Sequence, residues 1–215
     1  MTPRTPGSVD PRRTRTIAAL LQSAEQLFRA RLLDEVTVEE IANHAKVAVS
    51  SLYNHFGSKA GLYAALVQRA IDTDRVHMDL AYAPDRSPVD QLYAAADEYL
   101  AFYVDHPDYF RMLAFPPAPG SFAAAQDAAS ALAAAVVSQN GRMVRALRVG
   151  MKSGALRDDI DPEAVATVLW ASWNGIISLG WRPDALRQGL DELRDLLHVA
   201  TDLVANGLLD GDDAT

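Results

Sequence analysis

The chain has no cysteine. That removes disulfides, thiolate nucleophiles, iron–sulfur clusters and cysteine-ligated zinc together, and it fits a reducing compartment. Any metal site would fall to His44, His55, His77, His106 and His198, which lie too far apart in sequence to mark a local one. A Gly-rich phosphate loop, a His-Glu-x-x-His pair and a Gly-x-Ser-x-Gly elbow are all missing, which leaves the main enzyme motifs unrepresented. No run approaches the ~20 apolar residues that span a bilayer, and Met1 to Pro11 has no apolar stretch of the secretion type. The expectation is a cytoplasmic protein with no membrane partner, no cofactor and no metal. Alternation of period two is also absent over any useful length, which excludes a sheet and predicts an all-α chain.

What the sequence does contain is 215 residues, 49 % of them hydrophobic and 22 % charged, enough for one or two domains with a buried core. A net charge of −8 argues at first against a nucleic-acid partner, because phosphates are neutralised by Lys and Arg. The charge is unevenly spread, however. Residues 1–60 carry eight basic and six acidic side chains, a balance of +2, whereas residues 61–215 carry −10. The basic excess sits at the N-terminal end.

Residues 1–11, rich in Pro, Thr, Arg and Gly, have little to bury and are expected to form a flexible arm. Ile17, Leu20, Leu21, Ala24, Leu27 and Phe28 then recur at steps of three and four, predicting a helix over about 12–30. Thr37-Val38-Glu39-Glu40 has the form of a capping box and opens a short helix to about Ala45. After Lys46-Val47-Ala48, the apolar positions Val49, Leu52, Tyr53 and Phe56 share one side of a third short helix ending at Gly57, with Ser50, Ser51, Asn54 and His55 between them. Ser58 caps a fourth helix reaching roughly Leu80.

Further helices are expected at about 88–105, through Phe110 to Leu113, from about 121 to 152 with a bend near Gly141, at 162–179 and at 184–206. His106-Pro107, a Pro-rich loop at 115–120, Gly154 and Asp161-Pro162 divide them. Aromatic residues gather in this second part. Tyr93, Tyr99, Phe102, Tyr103, Phe110, Trp170 and Trp173 are candidates for the wall of an apolar pocket, with Asn174 placed to orient a ligand. Ordinary core packing accounts for any one of them equally well.

A capped short helix, a turn and a second short helix with a small polar outer face have the layout of a helix-turn-helix. Residues Thr37 to Lys59, TVEEIANHAKVAVSSLYNHFGSK, resemble the DNA-binding signature of the TetR family of helix-turn-helix transcriptional regulators. The resemblance is strong over about residues 12–66, and the helical remainder matches in general pattern. It implies a three-helix reader over 12–60 and an effector-binding and dimerisation domain over 61–215. On the family pattern, Val49, Ser50, Ser51 and Asn54 face the bases, and Thr37, Tyr53, His55 and Lys59 hold phosphates, with Arg12, Arg13 and Arg15 adding contacts from the arm. Two positions depart from that pattern: Lys46 stands where Gly is usual, and Ala48 where Ser or Thr caps the reading helix.

The function implied is a repressor that binds a pseudo-palindromic operator as a homodimer and is released by a small apolar molecule. The last two long helices are the expected dimer interface. Two other readings stay open on the residues alone: a ligand-binding helical protein whose DNA reader has decayed, and an all-α enzyme.

Overall fold

A computed structural model describes residues 10–31, 35–115 and 126–208. Among these residues there are nine α-helices and no strand, so the all-α expectation holds. The helices are α1 (Pro11–Ala30), α2 (Val38–His44), α3 (Val49–Phe56), α4 (Lys59–Ala81), α5 (Pro88–Asp105), α6 (Pro107–Ala114), α7 (Gln126–Ser153), α8 (Pro162–Ser178) and α9 (Leu190–Leu208).

The starts follow local capping chemistry. Asp10 accepts from the Arg12 amide ahead of Pro11, Ser87 from Asp90 ahead of Pro88, and Asp161 from Glu163 ahead of Pro162. In each case the cap satisfies an amide that the first turn leaves unpaired, and proline occupies a position that needs no N–H. His106 ends α5 and begins α6, because Pro107 cannot extend the first helix but suits the first turn of the second.

Several boundaries differ from the sequence reading. Helix α1 starts at Pro11, close to the expected start at about 12, so Arg12, Arg13 and Arg15 stand on its first turns and any contact they add comes from the helix and not from the arm. Helix α7 runs without interruption through Gly141. The expected helical start at 121 and the loop at 116–120 lie outside the described residues, as does most of the arm. The last helix begins at Leu190 instead of about 184. Asp184 accepts from the Leu186 amide and pairs with Arg182, and this local turn competes with helix there. Leu179–Trp181 form a 3-10 turn after α8, and the Gln188 amide returns to the Leu179 carbonyl.

The chain divides into two compact units. The first extends to Arg69 and includes α7 up to Ala131; the second comprises Ala70–Phe115 and the chain from Leu132. The divisions fall inside α4 and inside α7, so each of these helices contributes residues to both units.

In the first unit α1, α2 and α3 pack mutually. Leu20, Ala24, Val36, Ile41, Ala42, Leu52, Leu62 and Leu66 are fully buried there, and Phe28 meets Tyr63 edge-on. Burying each large apolar side chain stabilises by roughly 1.5–3 kcal/mol, which is how two helices of seven and eight residues persist when neither would alone.

The second unit centres on α5, which packs against α6, α8 and α9. Leu92, Leu100, Phe102, Phe110, Leu147, Leu169, Ile177 and Leu197 form its core. A buried polar link joins α8 to α9: Trp173 Nε1 donates to the Thr201 hydroxyl, which itself donates to the Leu197 carbonyl.

Candidate nucleic-acid interface and ligand cavity

The start of α2 is a complete capping box. The Thr37 hydroxyl accepts from the Glu40 amide at 3.1 Å, and Glu40 Oε2 accepts from the Thr37 amide at 2.7 Å and also from its hydroxyl. Arg31 donates to the other Glu40 oxygen at 2.9 Å. The Thr37 amide, the Thr37 hydroxyl and the Arg31 guanidinium all favour the carboxylate, holding Glu40 down at about 2. Thr37 therefore has its amide and its hydroxyl proton engaged in folding α2.

The turn from α2 to α3 closes in a Schellman arrangement. The Lys46 amide returns to the Asn43 carbonyl, and the Val47 amide to that of Ala42. This geometry needs a residue in the left-handed region, and Lys46 takes it with φ 56°. Ala48 then has extended backbone suited to a cap but offers no side-chain hydrogen bond. Both departures from the family pattern are thus tolerated with the turn intact, at the cost of one strained residue and one missing cap.

Leu52 points into the first unit's core, which fixes the rotation of α3 and turns the opposite side outward. Ser50, Tyr53 and Asn54 are exposed, while Val49, Ser51 and His55 are half-buried. Short polar side chains on the outer side of a short helix leave its backbone accessible to a groove, which is the geometry base reading needs. The helix ends at Gly57, whose φ of 73° only glycine adopts freely.

Gly61 allows the closest approach in this unit. A Cβ there would lie 1.9 Å from the Phe56 carbonyl oxygen, and its amide is capped by the Ser58 hydroxyl at 3.0 Å. Lys59, half-buried, donates from Nζ to the Val36 carbonyl. Arg12, Arg13 and Arg15 are exposed on the first turns of α1.

The second unit contains a cavity of about 50 Å³. Its wall combines Asp74, Met78 and Tyr82 of α4 with Tyr99 of α5 and Leu113 of α6. Helix α7 adds Leu132, Ala135, Val136, Gln139, Asn140 and Met143, and α8 adds Trp170 and Trp173.

Of the aromatic candidates, Tyr99, Trp170 and Trp173 line this cavity. Asn174 stands behind the wall, accepting the Tyr99 hydroxyl proton at 2.7 Å. Phe102 and Phe110 are core residues with no exposure. Tyr103 packs against Phe110 and Trp181. Tyr93 lies elsewhere, donating to Asp202 at 2.5 Å; that carboxylate raises the phenol to about 12.

The α4 and α7 contributions were not among the candidates, although their signal is in the sequence. Ala70, Asp74, Met78 and Ala81 occupy one stripe of α4, and Leu132, Val136, Gln139 and Met143 one stripe of α7. A carboxylate and an amide thus stand in core registers. Asp74 is only 7 % exposed, and its burial raises its pKa to about 6 against the opposing effects of Gln139, His77 and Arg142. Burial likewise raises the Tyr82 and Tyr99 phenols, so both stay protonated at neutral pH.

Comparison with known proteins agrees with these features. The family described as "Bacterial regulatory proteins, tetR family" matches residues 20–66, and "Tetracyclin repressor-like, C-terminal domain" matches residues 92–212. No curated protein matches the sequence significantly.

Among solved structures, a TetR-family regulator from Rhodococcus sp. is similar with a TM-score of 0.74 and 19 % identity, covering 88 % of this chain and 98 % of that one. A TetR-like regulator from Rhodococcus sp. RHA1 shows 0.68 and 23 %, covering 95 % and 98 %. SmeT, described as the repressor of the Stenotrophomonas maltophilia multidrug efflux pump SmeDEF, is similar in its triclosan complex with 0.70 and 20 %, covering 91 % and 92 %. With an N-terminal helix-turn-helix, an all-α remainder and family matches to both parts, this chain belongs to the TetR family of transcriptional regulators.

Proposed function

We infer that this regulator is a repressor that binds a pseudo-palindromic operator as a homodimer and releases it when a small, largely apolar molecule occupies the second unit. The carrying observation is α3: a core-anchored helix whose outer side presents Ser50, Tyr53 and Asn54 to solvent. Val49, Ser50, Ser51 and Asn54 read bases, with Val49 suited to a thymine methyl, and Tyr53, His55 and Lys59 hold phosphates. Thr37 serves this reader chiefly by capping α2. The reader spans about 12–60, and the remainder to 215 binds effector and dimerises. Access to DNA places the protein in the cytoplasm.

One short helix reads few base pairs, so a two-fold dimer with half-sites about 34–36 Å apart supplies the missing contacts. The outer sides of α8 and α9 support this. Leu196, Val199 and Leu203 form an exposed apolar stripe on α9, and Ala164, Val168, Ala171 and Gly175 an exposed small-residue stripe on α8. Two such pairs of helices make a four-helix interface with close backbone approach.

The cavity supports the effector role, as does the triclosan complex of SmeT, a protein of similar fold. A drug-sized ligand needs roughly 300 Å³ or more, so binding has to widen the space beside Asp74, Met78 and Tyr82. These residues lie on α4, the helix that also continues into the reading unit. A ligand that prefers the widened conformer weakens operator binding by its affinity ratio for the two conformers, and by no more.

The test is selection of the purified protein on a random duplex library, followed by anisotropy at two salt concentrations. An enriched palindrome with affinity falling steeply in salt is expected. Absence of enrichment from ligand-free protein would overturn the reading.

A further inference from the structure

The polar groups of the cavity are unbalanced in a way that selects a ligand class. Its wall is mostly aromatic and aliphatic, yet two acceptor atoms are buried in it. Among the described residues, Asp74 Oδ1 and Gln139 Oε1 have no hydrogen-bond partner. The other oxygen of Asp74 accepts from Gln139 Nε2 at 2.9 Å, and this bond sets the amide so that its oxygen faces away as an acceptor.

Three of the nearby donors are engaged elsewhere. The Tyr99 hydroxyl donates to Asn174, His77 Nδ1 meets Glu98 at 3.0 Å, and Arg142 pairs with Asp79 at 2.5 Å. A carboxylate that is more than nine-tenths buried thus keeps a free oxygen, next to a free amide oxygen, in a wall that includes Tyr82, Trp170 and Trp173. Both open positions call for N–H or O–H donors, and the charge beside them calls for a cation.

We propose that this cavity takes an amphipathic organic cation, an apolar body carrying a protonated amine, with the ammonium between Asp74 Oδ1 and Gln139 Oε1. The ammonium donates to both orphan oxygens and neutralises the buried carboxylate. The aromatic faces favour a cation and enclose the apolar body, while Met78 and Met143 adapt to its shape. Neutral donors satisfy the hydrogen bonds but leave the charge unpaired, and anions meet a buried carboxylate. The assignment rests on the reading of this cavity as the effector site.

The experiment uses the full chain and three probes of one shape: 4-phenylbutylamine, 4-phenylbutanol and 4-phenylbutyrate. Binding is followed at pH 7.5 by calorimetry and by the fluorescence of the cavity tryptophans. The amine is expected to bind about tenfold or more tighter than the alcohol, and the carboxylate weakest. Asp74→Asn keeps the shape and a side-chain oxygen but removes the charge, so it should bring amine and alcohol within about threefold of each other. Gln139→Met, which keeps side-chain length but removes the acceptor, should lower amine affinity in the same direction and serves if the first variant misfolds.

Equal binding of amine and alcohol, no amine binding, or an amine preference that survives both substitutions would overturn the assignment. Operator affinity measured with the same amine separates the two readings. Amine binding that leaves operator affinity unchanged would overturn the effector role while supporting the ligand class. Release by the alcohol with no amine preference would do the reverse.

Discussion

The Lys59 ammonium donates to the main-chain carbonyl of Val36 at 2.7 Å, so the residue that opens α4 also holds the segment entering α2. Val36 is fully buried, and a bond from a charged donor to such a carbonyl contributes about 1.5–3 kcal/mol. Lys59→Met keeps the aliphatic stem and removes the charge. Urea unfolding should show a loss of that order. If Lys59 also holds a phosphate, the slope of log affinity against log salt falls by about one per protomer. An unchanged slope would confine Lys59 to folding.

Lys46 and Ala48 predict stabilising changes. Lys46→Gly relieves left-handed strain of about 1–3 kcal/mol, offset in part by the greater freedom of glycine when unfolded, for a net gain near 1 kcal/mol. Ala48→Thr supplies the missing cap of α3, worth about 0.5–2 kcal/mol. Both should raise the thermal midpoint of the protein, and a fall for either would contradict the turn geometry.

Gly61→Ala should act in the opposite direction. A methyl group 1.9 Å from the Phe56 carbonyl oxygen has to push apart the end of α3 and the start of α4. A loss of at least about 1–3 kcal/mol is expected, together with weaker operator binding because α3 moves. Thermal unfolding and anisotropy measure the two effects separately.

The two units should respond oppositely to acid. Glu40 lies at about 2 in the folded protein against an ordinary 4.5, so its contribution is full above 4.5 and is lost as pH falls toward 2. Asp74 is raised from 3.8 to about 6, so the folded state binds the extra proton and stability falls as pH rises from about 4 to 6. That burden is on the order of 3 kcal/mol. Thermal scans should show Asp74→Asn more stable than the parent at pH 7 and little different at pH 4, while Glu40→Gln flattens the acid limb of the first unit.

Leu203, 74 % exposed on α9, tests the dimer. Leu203→Glu should leave the helical content unchanged, because the side chain is mostly exposed on the protomer. It should shift the sedimentation coefficient to that of a monomer and weaken operator binding sharply. A variant that stays dimeric would place the interface away from this stripe.

Helix order and most boundaries were legible in the sequence because their causes are local. The Thr37–Glu40 capping box, the Ser87-Pro88 and Asp161-Pro162 starts, and the apolar step through Leu20, Ala24 and Phe28 each act within a turn or two. The outward side of α3 was legible for the same reason: once Leu52 and Phe56 are apolar, Ser50 and Asn54 have only solvent to face. The start of α9 was not, because the repeat of Leu186 and Leu190 continues helical periodicity while Asp184 draws residues 182–186 into a turn.

The sequence by itself determined an all-α chain, the capped short helices and the polar side of α3. The cavity was decided only by tertiary structure. Which aromatics line it depends on how α4, α5, α7 and α8 face one another over separations of up to about a hundred residues. That arrangement draws in Tyr99, Trp170 and Trp173 but leaves Tyr93 outside. It also buries Asp74 against Gln139, 65 residues away in sequence. A carboxylate acquires an unusual charge balance only when distant segments remove its water, and no local pattern specifies that.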